Sequence, residues 1–207
     1  MDDELKRIFA RCGTPKGRAG FAEVYAAQIG PRRLEPLRIL ELGIYRGASI
    51  EAWLQYCPAA SITGIDTFRR VAPESVKVLE HPRVSWYRLD STLQTIFDAR
   101  LGHGAGPFDF IIDDACHWHD AQRKSFSNYF PQLAAGGVYY IEDVWPFDAM
   151  MTAEKRHPWI EKHPGAWTDE TWAALLAEVS QHTVTRHDFR QTAESPGGDR
   201  YMLEIRP

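Results

Sequence analysis

Apolar residues along this chain fall into short runs separated by longer stretches of helical periodicity. The runs predict five strands: Arg38–Leu42, Ser61–Ile65, Val84–Leu89, Phe108–Ile112 and Val138–Ile141. Runs this short and continuously apolar read as strands buried on both faces of a sheet. Between them, helical spacing predicts Ala48–Tyr56, Thr92–Ala99 and Asp120–Ala134 as helices. The last carries Phe126, Tyr129, Phe130 and Leu133 on one stripe, with Gly136-Gly137 expected to stop it. Ahead of the first strand, residues 2–12 and Phe21–Ile29 read as helices, broken at Thr14-Pro15-Lys16-Gly17, and Pro31 and Pro36 bracket a linker. Past the fifth strand the pattern changes to a helix, Thr168–Ser180, and two strands, Thr183–Phe189 and Arg200–Arg206, joined by a turn-rich loop without a helix. The expected fold is α/β: a Rossmann-like, seven-stranded, mostly parallel sheet with a terminal antiparallel hairpin and helices on both faces.

Composition narrows the function classes. The 207 residues suit one domain, with 1–36 as a helical cap and 145–167 as a substrate lid. A net charge of -4 with both signs interspersed and no basic patch argues against nucleic acid as a partner. Cys12, Cys57 and Cys116 form no paired spacing, so reduced thiols and a cytoplasmic location are expected. The charged start, MDDELKRIF, lacks the apolar core of a signal peptide, and no apolar run is long enough to span a bilayer, so no membrane partner is expected. Four of the seven tryptophans (Trp118, Trp145, Trp159, Trp167) fall in or near the expected site and lid, where they would suit a ring-shaped substrate.

Three successive strand ends each present an acid: Glu41, Asp66 and Asp90. The first strand runs into Glu41-Leu42-Gly43-Ile44-Tyr45-Arg46-Gly47. There Gly43 permits a tight turn, and Gly47 is expected to let backbone approach a ligand. Asp66, 19 residues after Gly47, is placed to accept ribose hydroxyls, and Asp90 lies where an adenine is expected. An acid at the first turn suits a sulfonium-bearing amino-acid cofactor better than a pyrophosphate, which favours S-adenosylmethionine over NAD.

The fourth and fifth strands end in paired acids, Asp113-Asp114 and Glu142-Asp143. Parallel neighbours lie about 4.8 Å apart, so these tips can share one ion. Asp114, Glu142 and Asp143 are the expected ligands of Mg²⁺ or another divalent cation, and His117 the expected general base beside Asp114. Asp113 is expected to face the cofactor or cap the next helix. The bland alternatives are that Asp113-Asp114 only cap that helix, and that Glu142-Asp143 pair with Lys155, Arg156 or another lid base.

Five parallel strands followed by a hairpin resemble the class I S-adenosylmethionine-dependent methyltransferases. Asp113-Asp114-Ala115-Cys116-His117 and Ala135-Gly136-Gly137-Val138-Tyr139-Tyr140-Ile141-Glu142-Asp143 resemble the Asp-Asp-Gly-Ser-His and Pro-Gly-Gly-x-Tyr-x-Ile-Glu-Asp motifs of the metal-dependent macrocin and mycinamicin sugar O-methyltransferases. Thr14-Pro15-Lys16-Gly17 resembles that family's Thr-Asp-Lys-Gly lead-in, a segment positioned to close over the cofactor. Two departures from that family stand out: Ala115-Cys116 replaces Gly-Ser, and the sequence is shorter than members that carry an additional N-terminal domain; in the turn after the first strand, Tyr45 stands where a glycine is common. The resemblance implies methyl transfer to a hydroxyl of a sugar or other glycosylated, diol-bearing metabolite of antibiotic biosynthesis. It also implies metal ligation by Asp114, Glu142 and Asp143 with His117 as base. A metal-assisted hydroxylase or cyclase on the same scaffold, and a non-catalytic cofactor-binding subunit, stay open, as does homo-oligomerisation.

Overall fold

The computed structural model describes residues 3–93, 106–149, 158–194 and 197–207. Their core is one seven-stranded sheet of β1 (Arg38–Leu42), β2 (Ser61–Asp66), β3 (Val84–Arg88), β4 (Phe108–Asp113), β5 (Leu133–Ile141), β6 (Thr183–Asp188) and β7 (Tyr201–Arg206). Its order is β3-β2-β1-β4-β5-β7-β6. β1 to β5 pair in parallel, and β7 runs antiparallel to both β5 and β6. The expected mostly parallel sheet with its terminal antiparallel pair is therefore observed.

The strands alternate their side chains between two buried layers, as period-two geometry requires. One layer joins Ile39, Ile62, Phe110, Ile112, Val138 and Tyr140 to α1 (Glu4–Cys12), α2 (Phe21–Ile29) and α3 (Ala48–Tyr56). The other joins Leu40, Leu42, Ile111, Tyr139 and Ile141 to α4 (His119–Tyr129) and α6 (Asp169–Val179). A short helix, α5 (Pro158–Lys162), lies between β5 and α6.

Two expectations need correction. The helix expected to run to Ala134 ends at Tyr129, and a 3-10 turn, Phe130–Gln132, follows. Pro131 has no N–H and its ring crowds the preceding turn, so it ends the helix before the glycines are reached. Gly136-Gly137 instead lie inside β5, where the register with β4 jumps between Phe108↔Leu133 and Phe110↔Val138. Gly136 takes φ +75°, and a Cβ on Gly137 would come within 2.8 Å of the Asp109 carbonyl, so the glycines serve an irregularity in the strand. Of the expected Thr92–Ala99 helix, residues 94–99 lie outside the described residues, as do Lys155 and Arg156. Among the described residues, no helix is long and apolar enough to cross a membrane.

Candidate active site

The C-terminal tips of β1, β2, β4 and β5 open on one cleft of about 1660 Å³. That is more than a single small ligand fills, since ligand pockets typically run ~300–1,000 Å³. Its walls come from the Thr14–Lys16 turn, the Gly43–Arg46 loop, Asp66, Asp90, the Asp114–Trp118 turn, Asp143, Trp145, His163 and Trp167.

The β1 turn is held by Asp66. Its Oδ2 accepts the backbone N–H groups of Ile44 (2.8 Å) and Tyr45 (2.9 Å), and Oδ1 accepts that of Phe68 (2.6 Å). Tyr45 takes φ +50°, the left-handed region that glycine adopts freely, and Phe68 takes +52°. Backbone strain of this kind persists where surrounding contacts over-determine it, and the three Asp66 hydrogen bonds provide those contacts. Gly43 takes φ +94°, and a Cβ there would lie 2.2 Å from the Asp114 carbonyl, so this glycine lets the β1 and β4 loops touch.

Three of the expected cofactor residues do something else. Gly47 does not line the cleft; it starts α3 at φ +78° with its missing Cβ packed against Val76 and Val78. Glu41 is fully buried below the cleft floor, its carboxylate 3.6 Å from Lys16 Nζ and without a hydrogen-bond partner. Burial raises its pKa to about 7 even though Lys16 opposes the shift. Asp113 points into the opposite layer, where Oδ2 accepts the Tyr139 hydroxyl at 3.4 Å and Oδ1 the Ala115 N–H at 3.3 Å. Burial raises its pKa to about 7 as well. Asp90 does line the cleft, while its Oδ1 also accepts the Thr92 N–H and hydroxyl.

At the other end, β4 and β5 are adjacent and parallel, with Asp113 in register with Ile141. Ligand atoms of Asp114, His117 and Asp143 lie within 4.8 Å of one another. Asp114 Oδ1 is 3.3 Å from His117 Nε2, and Asp143 Oδ2 is 3.9 Å from His117 Nδ1. Asp143 takes φ +48°, a turn of the chain just past the strand end, and Arg200 Nη1 reaches its Oδ1 at 3.4 Å. Burial disfavours a charged imidazole, but the Asp114 hydrogen bond and the charge of Asp143 outweigh it and raise the His117 pKa to about 9. Burial, resisted by the His117 charge, lifts Asp143 to about 6.

Glu142 is held differently. It is buried, with Oε2 accepting Lys16 Nζ at 2.6 Å and Oε1 accepting a short hydrogen bond from the Tyr25 hydroxyl. Lys16 also donates to Asp114 Oδ2 at 2.6 Å. Burial works against the Lys16 ammonium, but Asp114, Glu142 and Glu41 outweigh it and hold its pKa well above the ordinary lysine value. Asp114 falls to about 2, since the Lys16 and His117 charges outweigh its burial. Glu142 rises to about 8 under burial and the neighbouring Asp114 and Asp143 charges, despite Lys16. Among the described residues, the base that meets Glu142 is Lys16, from the N-terminal turn.

Sequence reasoning gave no role to Lys16 or Tyr25. His119 is fully buried: Nε2 donates to the Trp145 carbonyl at 2.6 Å, and Nδ1 faces the Thr171 hydroxyl at 3.0 Å. Burial drops its pKa to about 4, so it is a neutral pin between α4 and the segments beyond β5. Trp145, Ile160, Ala166 and Trp167 form a small separate core, and Trp167 Nε1 donates to the His117 carbonyl at 2.8 Å. Trp118 stays 39% exposed in the cleft, with its ring 4.9 Å from that of His163.

A parallel sheet in this order, with one antiparallel strand inserted before its edge and a loop-lined cleft at the strand tips, is a Rossmann-like scaffold of the methyltransferase type. The family model described as "Methyltransferase domain" matches residues 40–144, and the chain belongs to that family. Among curated relatives, a tetracenomycin rhamnosyl 3'-O-methyltransferase of Streptomyces olivaceus is 33% identical over 69% of this chain and 37% of its own length. Demethylmacrocin O-methyltransferase of Streptomyces fradiae is 30% identical over 69% of this chain and 36% of its own length. The chain thus spans a little over a third of the length of these relatives. The methyltransferase MycE of the mycinamycin pathway, solved with Mg and SAH, superposes with a TM-score of 0.67 at 23% identity, over 98% of this chain and 54% of that one. This last likeness concerns the fold.

Proposed function

We propose that this chain is an S-adenosylmethionine-dependent, divalent-cation-assisted O-methyltransferase acting on a sugar hydroxyl of a small glycoside. The observation that carries the reading is the convergence of Asp114, His117 and Asp143 in the same cleft as the Asp66-braced turn. The relative named as a methoxyrhamnosyl-tetracenomycin 3'-O-methyltransferase supports the choice of acceptor.

The residues fit both groups. Asp66 has used its Oδ2 on two loop amides but its Oδ1 on only one. A carboxylate oxygen carries two lone pairs, so Oδ1 retains one for a ribose hydroxyl. Asp90 and Ser91 line the neighbouring wall. The Asp114 and Asp143 carboxylates, within 4.8 Å of one another beside the His117 ring, form an oxygen donor set for a divalent cation and leave the imidazole free as base. Glu142 is occupied by Lys16 and Tyr25.

A bound divalent cation supplies Lewis acidity that makes an acceptor hydroxyl easier to deprotonate. The protein's residues supply the rest. Asp66 and the Gly43–Arg46 loop would hold the cofactor, which would supply the methyl group. His117 would take the proton of the acceptor hydroxyl, freeing that oxygen to receive the methyl group. With its pKa raised to about 9, His117 carries a proton at neutral pH in the cation-free protein, so it acts as a base only after giving that proton up. The exposed Trp118 face offers the sugar ring a platform, and the Trp145–Trp167 core beside it is a wall of the substrate lid.

Transfer of labelled methyl to a panel of glycosides and their aglycones, with Mg²⁺ or with EDTA, tests the reading. Labelled glycoside that disappears with EDTA is the expected result. Methylation of aglycones alone, or rates indifferent to EDTA, would remove the acceptor or the metal from the proposal.

A further inference from the structure

The acids at the strand tips are matched by a cation that the protein carries itself. Lys16 Nζ sits 2.6 Å from Asp114 Oδ2, 2.6 Å from Glu142 Oε2 and 3.6 Å from Glu41 Oε1. The side chain is buried, and its turn, Pro15–Gly17, is fixed by the Thr14 hydroxyl accepting the Lys16 N–H at 3.4 Å. The Tyr25 hydroxyl, one helix further on, holds the other Glu142 oxygen. The N-terminal segment therefore grips the inward side of the acidic set. Asp114 Oδ1, His117 and Asp143 remain on the cleft side.

Two cations sharing Asp114 at short range repel each other, and an ammonium already bound to Glu142 denies that carboxylate to any metal. We infer that Lys16 is a positioning residue that acts as an internal competitor of the divalent cation, occupying Glu142 and one oxygen of Asp114 and thereby setting how tightly the metal binds. This inference rests on the metal reading proposed above. It makes metal affinity a property of the N-terminal turn as well as of the ligands, and it makes fuller ligation by Glu142 conditional on release by Lys16.

The test is Mn²⁺ binding to the whole chain, by calorimetry and by loss of the free-ion magnetic-resonance signal, without substrate. Wild type, K16M and K16R are compared. K16M is expected to bind Mn²⁺ at least tenfold more tightly than wild type, because the competing charge is gone and Glu142 is released. K16R keeps the charge and should stay much closer to wild type. A K16M affinity equal to or weaker than wild type overturns the inference, while a wild type that binds no Mn²⁺ overturns the metal reading itself.

K16M also leaves buried carboxylates without their cation, which is strongly destabilising. If it does not fold in EDTA, circular dichroism and thermal melts against Mn²⁺ carry the same question. Recovery of the folded spectrum, with a larger metal-dependent rise in Tm than wild type shows, supports competition. Failure of Mn²⁺ to restore the fold overturns it.

Discussion

The two ends of the cleft hold their acids by different means. At the β1–β2 end, Asp66 is bound by the backbone amides of Ile44, Tyr45 and Phe68. At the β4–β5 end, Asp114, Glu142 and Asp143 face Lys16, His117 and Arg200. Backbone amides cannot leave without rebuilding the loop, and they carry no net charge. Side-chain cations can be exchanged for another cation or for a proton acceptor. The first end is preformed and the second is exchangeable, which is the division of labour a cofactor pocket and a reacting centre require.

The largest expected effect breaks the second end alone. D114A removes one carboxylate of the donor set together with the His117 and Lys16 partner, so turnover should fall by roughly 1000-fold or more, the range for losing positioned acid–base and electrostatic groups. Binding of S-adenosylhomocysteine should change by less than about threefold if the two ends are independent, since non-contacting sites usually add within ~0.5 kcal/mol. Calorimetry reads both quantities on the same preparation. A collapse of cofactor affinity in D114A would merge the two ends into one.

A further distinction concerns protons. His119, two residues from His117, is neutral, and its folded pKa of about 4 lies below the ordinary value of 6.5. The unfolded chain therefore takes up that proton first. The His119 contribution is intact above pH 6.5, declines as pH falls from 6.5 to 4, and levels off below. A full shift of that size corresponds to about 3 kcal/mol. Glu41 and Asp113, both raised to about 7, oppose it, because they stay protonated in the fold while the unfolded chain ionises them near pH 4. The measurement is therefore the difference between wild-type and H119Q urea-denaturation curves from pH 4 to pH 8. That difference should shrink on acidification; a difference independent of pH would mean that His119 is not a neutral buried group.

Much of this arrangement was legible from strand parity. Ile39 and Ile112 share the layer with α1 and α2, so Glu41 and Asp114, two residues further along each strand line, fall on that side, as does Glu142 after Tyr140. Asp113 falls on the other, which is why it meets Tyr139 rather than the cleft. Asp143 should have followed Asp113, but its left-handed backbone turns it back toward His117, and nothing in the residue type announces that conformation. Lys16 could not be read at all. It comes from a turn 98 residues before Asp114 and 126 before Glu142, and only the docking of α1 and α2 on the sheet brings it there. The motif that matched a family lead-in marked the right segment, but not the charge it delivers.

The smallest expected effect isolates the first end. D66A leaves three loop amides without their acceptor and releases Tyr45 and Phe68 from the left-handed conformations that those bonds hold. Each charge-assisted bond is worth about 1.5–3 kcal/mol when buried. The loop is partly open to water, which can replace some of the lost bonds, so the net loss should be about 2 kcal/mol, a weakening of cofactor affinity by roughly 30-fold. Metal affinity should be unmoved, because Asp66 touches none of Asp114, His117 and Asp143. The D66A/D114A double variant then completes the cycle: cofactor affinity should match D66A and metal affinity should match D114A. A coupling larger than about 0.5 kcal/mol would have an evident route through Gly43, where the β1 turn and the Asp114 carbonyl are in direct contact.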